Sequence, residues 1–177
     1  MACERPLLFW AGRLDFRKTA RVHHARVPDI LMTTPTVTLG YVILYVKDVA
    51  AALAFYEAAF GLTKRFYHDD NGKAYGELET GATRLAFASI GLAELHLKQQ
   101  VVSSDPDKPP LGVEIALTSA DVPALFDRAV KAGATAMSEP ETKPWGQTVA
   151  YLRDQEGHLV ELCTPCRRRR RIAQRSG

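Results

Sequence analysis

Val42-Ile43-Leu44-Tyr45-Val46-Lys47-Asp48-Val49 is the stretch that decides the fold. Its first five residues suit a half-buried strand by alternation. Asp48 then offers a carboxylate to the orphan amides of a first helical turn. From there Val49, Leu53, Tyr56 and Phe60 recur at helical spacing, and Gly61 supplies a left-handed C-cap. A strand therefore runs straight into a helix. Three strand-like runs follow, Lys64–His68, Lys73–Glu79 and Thr83–Ser89. Turns at Asp70-Asn71-Gly72 and Gly81-Ala82 separate them.

The second half repeats the order. Ile115–Thr118 reads as a strand and Asp121 as a helix cap. Val122, Leu125, Phe126, Ala129 and Val130 make the apolar stripe, and Gly133 the stop. Strand-like runs follow at Thr135–Ser138, Thr148–Arg153 and His158–Cys163, with a turn at Asp154-Gln155-Glu156-Gly157. Aligning Asp48-Val49 with Asp121-Val122 gives an offset of 73 residues. Each half is thus βαβββ, and the fold class is α+β with a duplicated module. The expected organisation is a basic leader at 1–36, disordered or not native, and a first module at 37–90. A linker at 91–110, a second module at 111–165 and an Arg-rich tail at 166–177 follow. The linker assignment rests on polar content and on Pro106, Pro109 and Pro110.

In such a module one helix covers one face of a small sheet, and the other face must pair or enclose something. Strand parity sends Val42, Leu44 and Val46 toward the helix and Tyr41, Ile43 and Tyr45 into a concave face. By the same parity Glu114, Ala116 and Thr118 face the cavity in the second module, and Leu159, Glu161 and Cys163 share one face of the last strand.

The charge sits unevenly. The 177 residues hold 23 Lys+Arg and 20 Asp+Glu, a net of +3. Twelve basic and three acidic groups fall in residues 1–31 and 167–177, which leaves 11 basic against 17 acidic groups in the body. The ends make the sum positive, and the body is acidic. Residues 1–31 lack the serine and the scarcity of acids typical of a mitochondrial transit peptide. Cytoplasmic residence is the expectation, with mitochondrial targeting as the alternative. Met32 reads as a fresh start. The Arg-rich tail has no apolar face, and specific nucleic-acid binding is not expected from it. No run approaches the length of a membrane span. Three cysteines are too few for a disulfide scaffold, and Cys163-Thr164-Pro165-Cys166 closes a strand rather than opening a helix, so it reads as two unrelated thiols.

The ordered set of motifs resembles the vicinal oxygen chelate superfamily, which includes glyoxalases, bleomycin-resistance proteins and extradiol dioxygenases. The carriers are Val42–Val49 through Ala54-Phe55-Tyr56 and Phe60-Gly61-Leu62, then Tyr75–Gly81, Lys143–Gln147 and Arg153–Leu162. The resemblance implies a cup-shaped mixed sheet with flanking helices, and a homodimer. It also implies metal-ligand positions at Tyr41, Ala86, Glu114 and Glu161. Glu114 and Glu161 suit a divalent cation such as Zn, Ni, Mn or Fe. Ala86 cannot ligate, so the metal set is incomplete and no cofactor is certain. His68, His96 and His158 read as surface or turn histidines. Glu77 and Glu79 read as a solvated strand face.

Pro144-Trp145-Gly146 resembles a loop of the metal-free bleomycin-resistance branch. With Tyr41, Tyr45 and Phe87, Trp145 is expected to line an aromatic cup over Glu114 and Glu161, suited to a flat or cationic small molecule. The first functional expectation is therefore small-molecule binding of the antibiotic-resistance kind. The alternative is a glyoxalase I-like metal-dependent lyase or isomerase acting on a vicinal-oxygen substrate, with Glu161 or Glu114 moving the proton.

Overall fold

The computed structural model describes residues 36–166, and those from Leu39 onward belong to one compact unit. The expectations for residues 1–31, Met32 and the arginines from 167 onward fall outside the described residues. Strand β1 (Tyr41–Val46) leads into helix α1 (Val49–Phe60), then β2 (Thr63–Asp70), β3 (Lys73–Glu79) and β4 (Arg84–Ser89). A second helix, α2 (Ile90–Leu97), intervenes. The order then repeats as β5 (Glu114–Thr118), α3 (Val122–Lys131), β6 (Thr135–Thr142), β7 (Thr148–Arg153) and β8 (Leu159–Cys163). The two sheets have the orders β1-β4-β3-β2 and β5-β8-β7-β6. Among the described residues, no helix is long and apolar enough to cross a membrane.

Local chemistry explains the element boundaries. The Asp48 carboxylate accepts from the Ala51 amide at 3.0 Å, and the Asp121 carboxylate from Ala124 at 3.1 Å. Each satisfies one orphan donor of its helix. Gly61 ends α1 at φ 71°. Asn71 and Gly72 take consecutive positive φ values of 51° and 82°, the geometry of a two-residue hairpin whose twist matches β2 and β3. Gly76 on β3 is needed for close approach: a Cβ there would lie 2.6 Å from Leu53 Cδ1 of α1.

Helix α2 falls inside the segment expected to be linker. Ser89 caps it, its hydroxyl accepting from the Leu92 amide at 3.3 Å, and Ala93 is buried. The prolines that suggest a linker act only downstream, from Pro106.

Alternating residues build one core shared by both halves. Leu44, Val46, Leu53, Phe55 and Tyr56 from the first half meet Val122, Phe126, Leu152, Val160 and Leu162 from the second. Helices α1 and α3 pack together, and Arg128 of α3 closes the C-terminal end of α1. Its guanidinium donates to the Ala58 carbonyl at 2.6 Å and the Glu57 carbonyl at 3.1 Å. A cation suits that end, where carbonyls lack helical partners and the dipole is negative.

Two polar groups buried between the elements complete the frame. Tyr56 donates its hydroxyl to Asp154 Oδ2 at 3.0 Å. The same oxygen lies 3.0 Å from His158 Nδ1, while Asp154 Oδ1 accepts from the amides of His158 at 2.7 Å and Glu156 at 3.0 Å. Asp154 is 3% exposed and His158 is 6% exposed. Of the reading of His158 as a surface or turn histidine, the turn position holds and surface exposure does not, because the turn is capped from inside by its own aspartate. Burial, followed by the charge of Asp154 and its hydrogen bond, holds the Tyr56 phenol well above its ordinary pKa, so it stays a donor. Arg153, also buried, donates to the carbonyls of Asp105, Pro106, Lys108 and Gly157 at 2.6 to 3.0 Å. It ties the 105–108 segment to the β7–β8 turn.

Candidate functional site

The positions implied as metal ligands are related by the internal repeat. Tyr41 begins β1 and Glu114 begins β5. Ala86 stands opposite Ile43, and Glu161 opposite Ala116, in the two parallel strand pairs. Glu114 and Glu161 consequently share a sheet face, two residues apart in register along the β5–β8 pair. Tyr41 and Tyr45 share a face with Ala86 on the other sheet. Glu161 is 0% exposed and its Oε2 accepts from the Tyr151 hydroxyl at 3.0 Å. Tyr41 is 53% exposed, and Glu114 is exposed.

The four positions offer two carboxylates, one phenol and one methyl group. A catalytic divalent metal takes about three protein ligands and an open position. Among the described residues no group of three His, Cys, Asp or Glu side chains is placed to hold a metal ion. The residues present do not fit a catalytic metal of the kind the resemblance implies.

One residue expected in the cup lies elsewhere. Phe87 pairs in register with Leu44 and Gly76, which puts it on the face toward α1. It is fully buried, with its ring 4.9 Å from that of Tyr56. Phe87 is a core residue, not a ligand contact. Trp145 sits in the β6–β7 turn, partly exposed, and its indole N–H donates to Gln147 Oε1 of the same turn at 2.9 Å. Gly146 at φ 88° and the hydrogen bond from its amide to the Lys143 carbonyl shape that turn.

The concave face of the first sheet carries a network of charges. Glu77 stands opposite Ala86, so it shares the face of Tyr41 and Tyr45 rather than a solvated one. It accepts from the Tyr75 hydroxyl at 2.9 Å and pairs with Arg84 at 3.6 Å and Arg65 at 3.7 Å. Arg65 also reaches Glu79 at 3.4 Å. The wall is a mixed-charge network with aromatic neighbours, Phe66 and Tyr75 lying 6.3 Å apart. A purely acidic floor is not what this half provides.

Burial first, then the hydrogen bond and charge of Glu77, push the Tyr75 phenol up to about 12, against the opposing influence of Arg84. A folded-state value above the unfolded one means that Tyr75 contributes stability fully below about pH 10, and that this is lost as pH rises toward 12. Phenolate absorbance titration should show a late step near pH 12 that Tyr75→Phe removes and Glu77→Gln moves down. A titration unchanged in both variants would show that the pair does not form.

A cleft of about 540 Å³ opens where the β1–β4 edge of the first sheet meets β5 and α3. Phe60, Leu62, Ile115 and Leu125 give it apolar walls, and Arg84 and Glu114 stand at its border. Its volume falls within the range of small-molecule sites. Of the residues expected to bind ligand, Glu114 lines this cleft.

The duplicated βαβββ frame and its two four-stranded mixed sheets define the structural class. Residues 38–162 match the family model described as Glyoxalase/Bleomycin resistance protein/Dioxygenase superfamily, and the chain belongs to that superfamily. It is 33% identical over 129 residues to an uncharacterised protein of Mycobacterium bovis, covering 70% of this chain and 81% of the relative. A glyoxalase-related enzyme from Fulvimarina pelagi has a similar fold, with a TM-score of 0.62 and 21% identity over 72% of this chain and 88% of that one. A superfamily enzyme from Burkholderia phytofirmans gives a TM-score of 0.54 and 22% identity over 72% of this chain and 98% of that one. At such identity these structures establish the fold and not the reaction.

Proposed function

We propose that the chain binds a flat, cationic small molecule and does so without a catalytic metal. The observation that carries this reading is the occupancy of the repeat-related positions by Tyr41, Ala86, Glu114 and Glu161, with a methyl group where a fourth donor would be. The arginines of the first sheet are engaged by Glu77 and Glu79. The acids of the second sheet, Glu114 and Glu161, supply negative potential, and Tyr41 and Tyr45 supply ring faces for stacking and cation–π contact. A homodimer belongs to the same proposal. β1 and β5 are each the outermost strand of their sheet, and Tyr41, Phe66 and Glu114 are exposed in the single chain. A second copy would supply the missing wall of the cup.

Fluorescence titration with acridine orange, a flat cation, tests the binding. Glu114→Gln with Glu161→Gln should weaken it by about tenfold or more while leaving the fold intact by circular dichroism. Gel filtration should give twice the chain mass. Equal dye affinity in the double variant would refute the site. Stoichiometric Ni, Zn, Mn or Fe retained through dialysis would overturn the metal-free reading in favour of a glyoxalase-like lyase.

A further inference from the structure

Beyond the seam between the sheets, a second hollow of about 450 Å³ lies where the chain leaves β1 and where residues 102–111 approach β5. Lys47, Ser103, Ser104, Asp105 and Lys108 contribute its polar lining. Ser104 is 3% exposed, and among the described residues its Oγ has no hydrogen-bond partner. A buried hydroxyl left in that state costs about 1–3 kcal/mol. Native folds hold few such groups, and a bound ion is one of the established reasons for keeping one.

The charges around the hydroxyl favour an anion. Lys47 and Lys108 both line the hollow, against the single carboxylate of Asp105. That carboxylate is already engaged by its own turn: Oδ1 accepts from the Asp107 amide at 3.0 Å, and Oδ2 pairs with Lys108 at 3.5 Å. The Asp107 amide first, and then Lys108 and Lys47, hold the Asp105 carboxyl below its ordinary value against the opposing effect of burial. Behind the rim, the Arg153 guanidinium binds the carbonyls of Asp105, Pro106 and Lys108. It fixes the rim and adds a third positive charge nearby.

We propose that this hollow is an oxyanion site for the phosphate group of a small phosphate monoester, with Ser104 Oγ as the inner donor and Lys47 and Lys108 at the mouth. Two compact ammonium groups match a dianion better than a planar carboxylate, which a single guanidinium fork would serve. The space exceeds what inorganic phosphate needs, and Val102, Pro109 and Leu111 give an apolar wall for the ester's organic part.

Calorimetric titration of the full chain with phenyl phosphate and with inorganic phosphate, at constant ionic strength set by chloride, tests this. Both should bind, phenyl phosphate about tenfold more tightly, and phenol should not bind. Equal affinity for the two would still support the oxyanion site and assign it to the free anion. Ser104→Ala should leave the ligand-free melting temperature unchanged or raised, since it removes an unpaired group, while weakening phenyl phosphate about tenfold. The Lys47→Ala, Lys108→Ala double variant should weaken it at least as much. No heat beyond the chloride control, or equal affinity in the parent and both variants, would overturn the proposal.

Discussion

Replacing Asp154 with alanine should lower stability by about 4 kcal/mol, or roughly 12 °C in melting temperature. Four donors converge on this side chain: the Tyr56 hydroxyl, the His158 ring and the amides of Glu156 and His158. Alanine removes all four acceptor contacts and leaves the phenol and the imidazole buried without a partner. Asp154→Asn keeps the shape and one oxygen, so its cost should be near half. Tyr56→Phe should cost about 1–2 kcal/mol, because it strands one lone pair only. Urea denaturation of the three variants gives the ranking. A Tyr56→Phe variant as unstable as Asp154→Ala would mean that the phenol, and not the turn, dominates.

Arg153→Met should cost about 3 kcal/mol and loosen a segment 45 to 48 residues away in sequence. Its guanidinium is the partner of four backbone carbonyls, and methionine fills similar volume without a donor. Amide exchange at residues 105–108 should accelerate along with the loss of global stability. Arg153→Lys should recover little, since an ammonium cannot reproduce a fork that reaches both the 105–108 carbonyls and Gly157. Full rescue by lysine would show that charge alone suffices.

The repeat was legible because its signals are local. A cap aspartate, a 3.6-residue stripe and a glycine stop need no knowledge of the other half, and Asp48, Asp121 and Gly61 act as read. β3 and β7 cover the residues expected of them. The site was less legible. Phe87 lies in a strand whose Leu85, Ala86, Phe87 and Ala88 are all buried, so alternation cannot tell the two faces apart. Only the pairing of Phe87 with Leu44 does. Glu77 looked solvated because the strand that gives it a cavity-side neighbour, β4, is fixed by register rather than by composition. His158 is buried by Tyr56 and Asp154, residues 98 positions apart, and no local pattern predicts that meeting.

The bond between Tyr56 and Asp154 also bears on the history of the repeat. A duplicated module begins as two interchangeable copies, each able to stand in for the other. Here one copy supplies the phenol and the other the carboxylate, and Arg128 of the later helix closes the end of the earlier one. Each half has become a ligand for its twin. Such mutual dependence works as a ratchet: separated halves would expose the apolar surface that the shared core buries, and Tyr56 would lose its acceptor, so the merger is hard to reverse. Positions that need not match between the copies, such as Ala86 and Glu161, are then free to diverge.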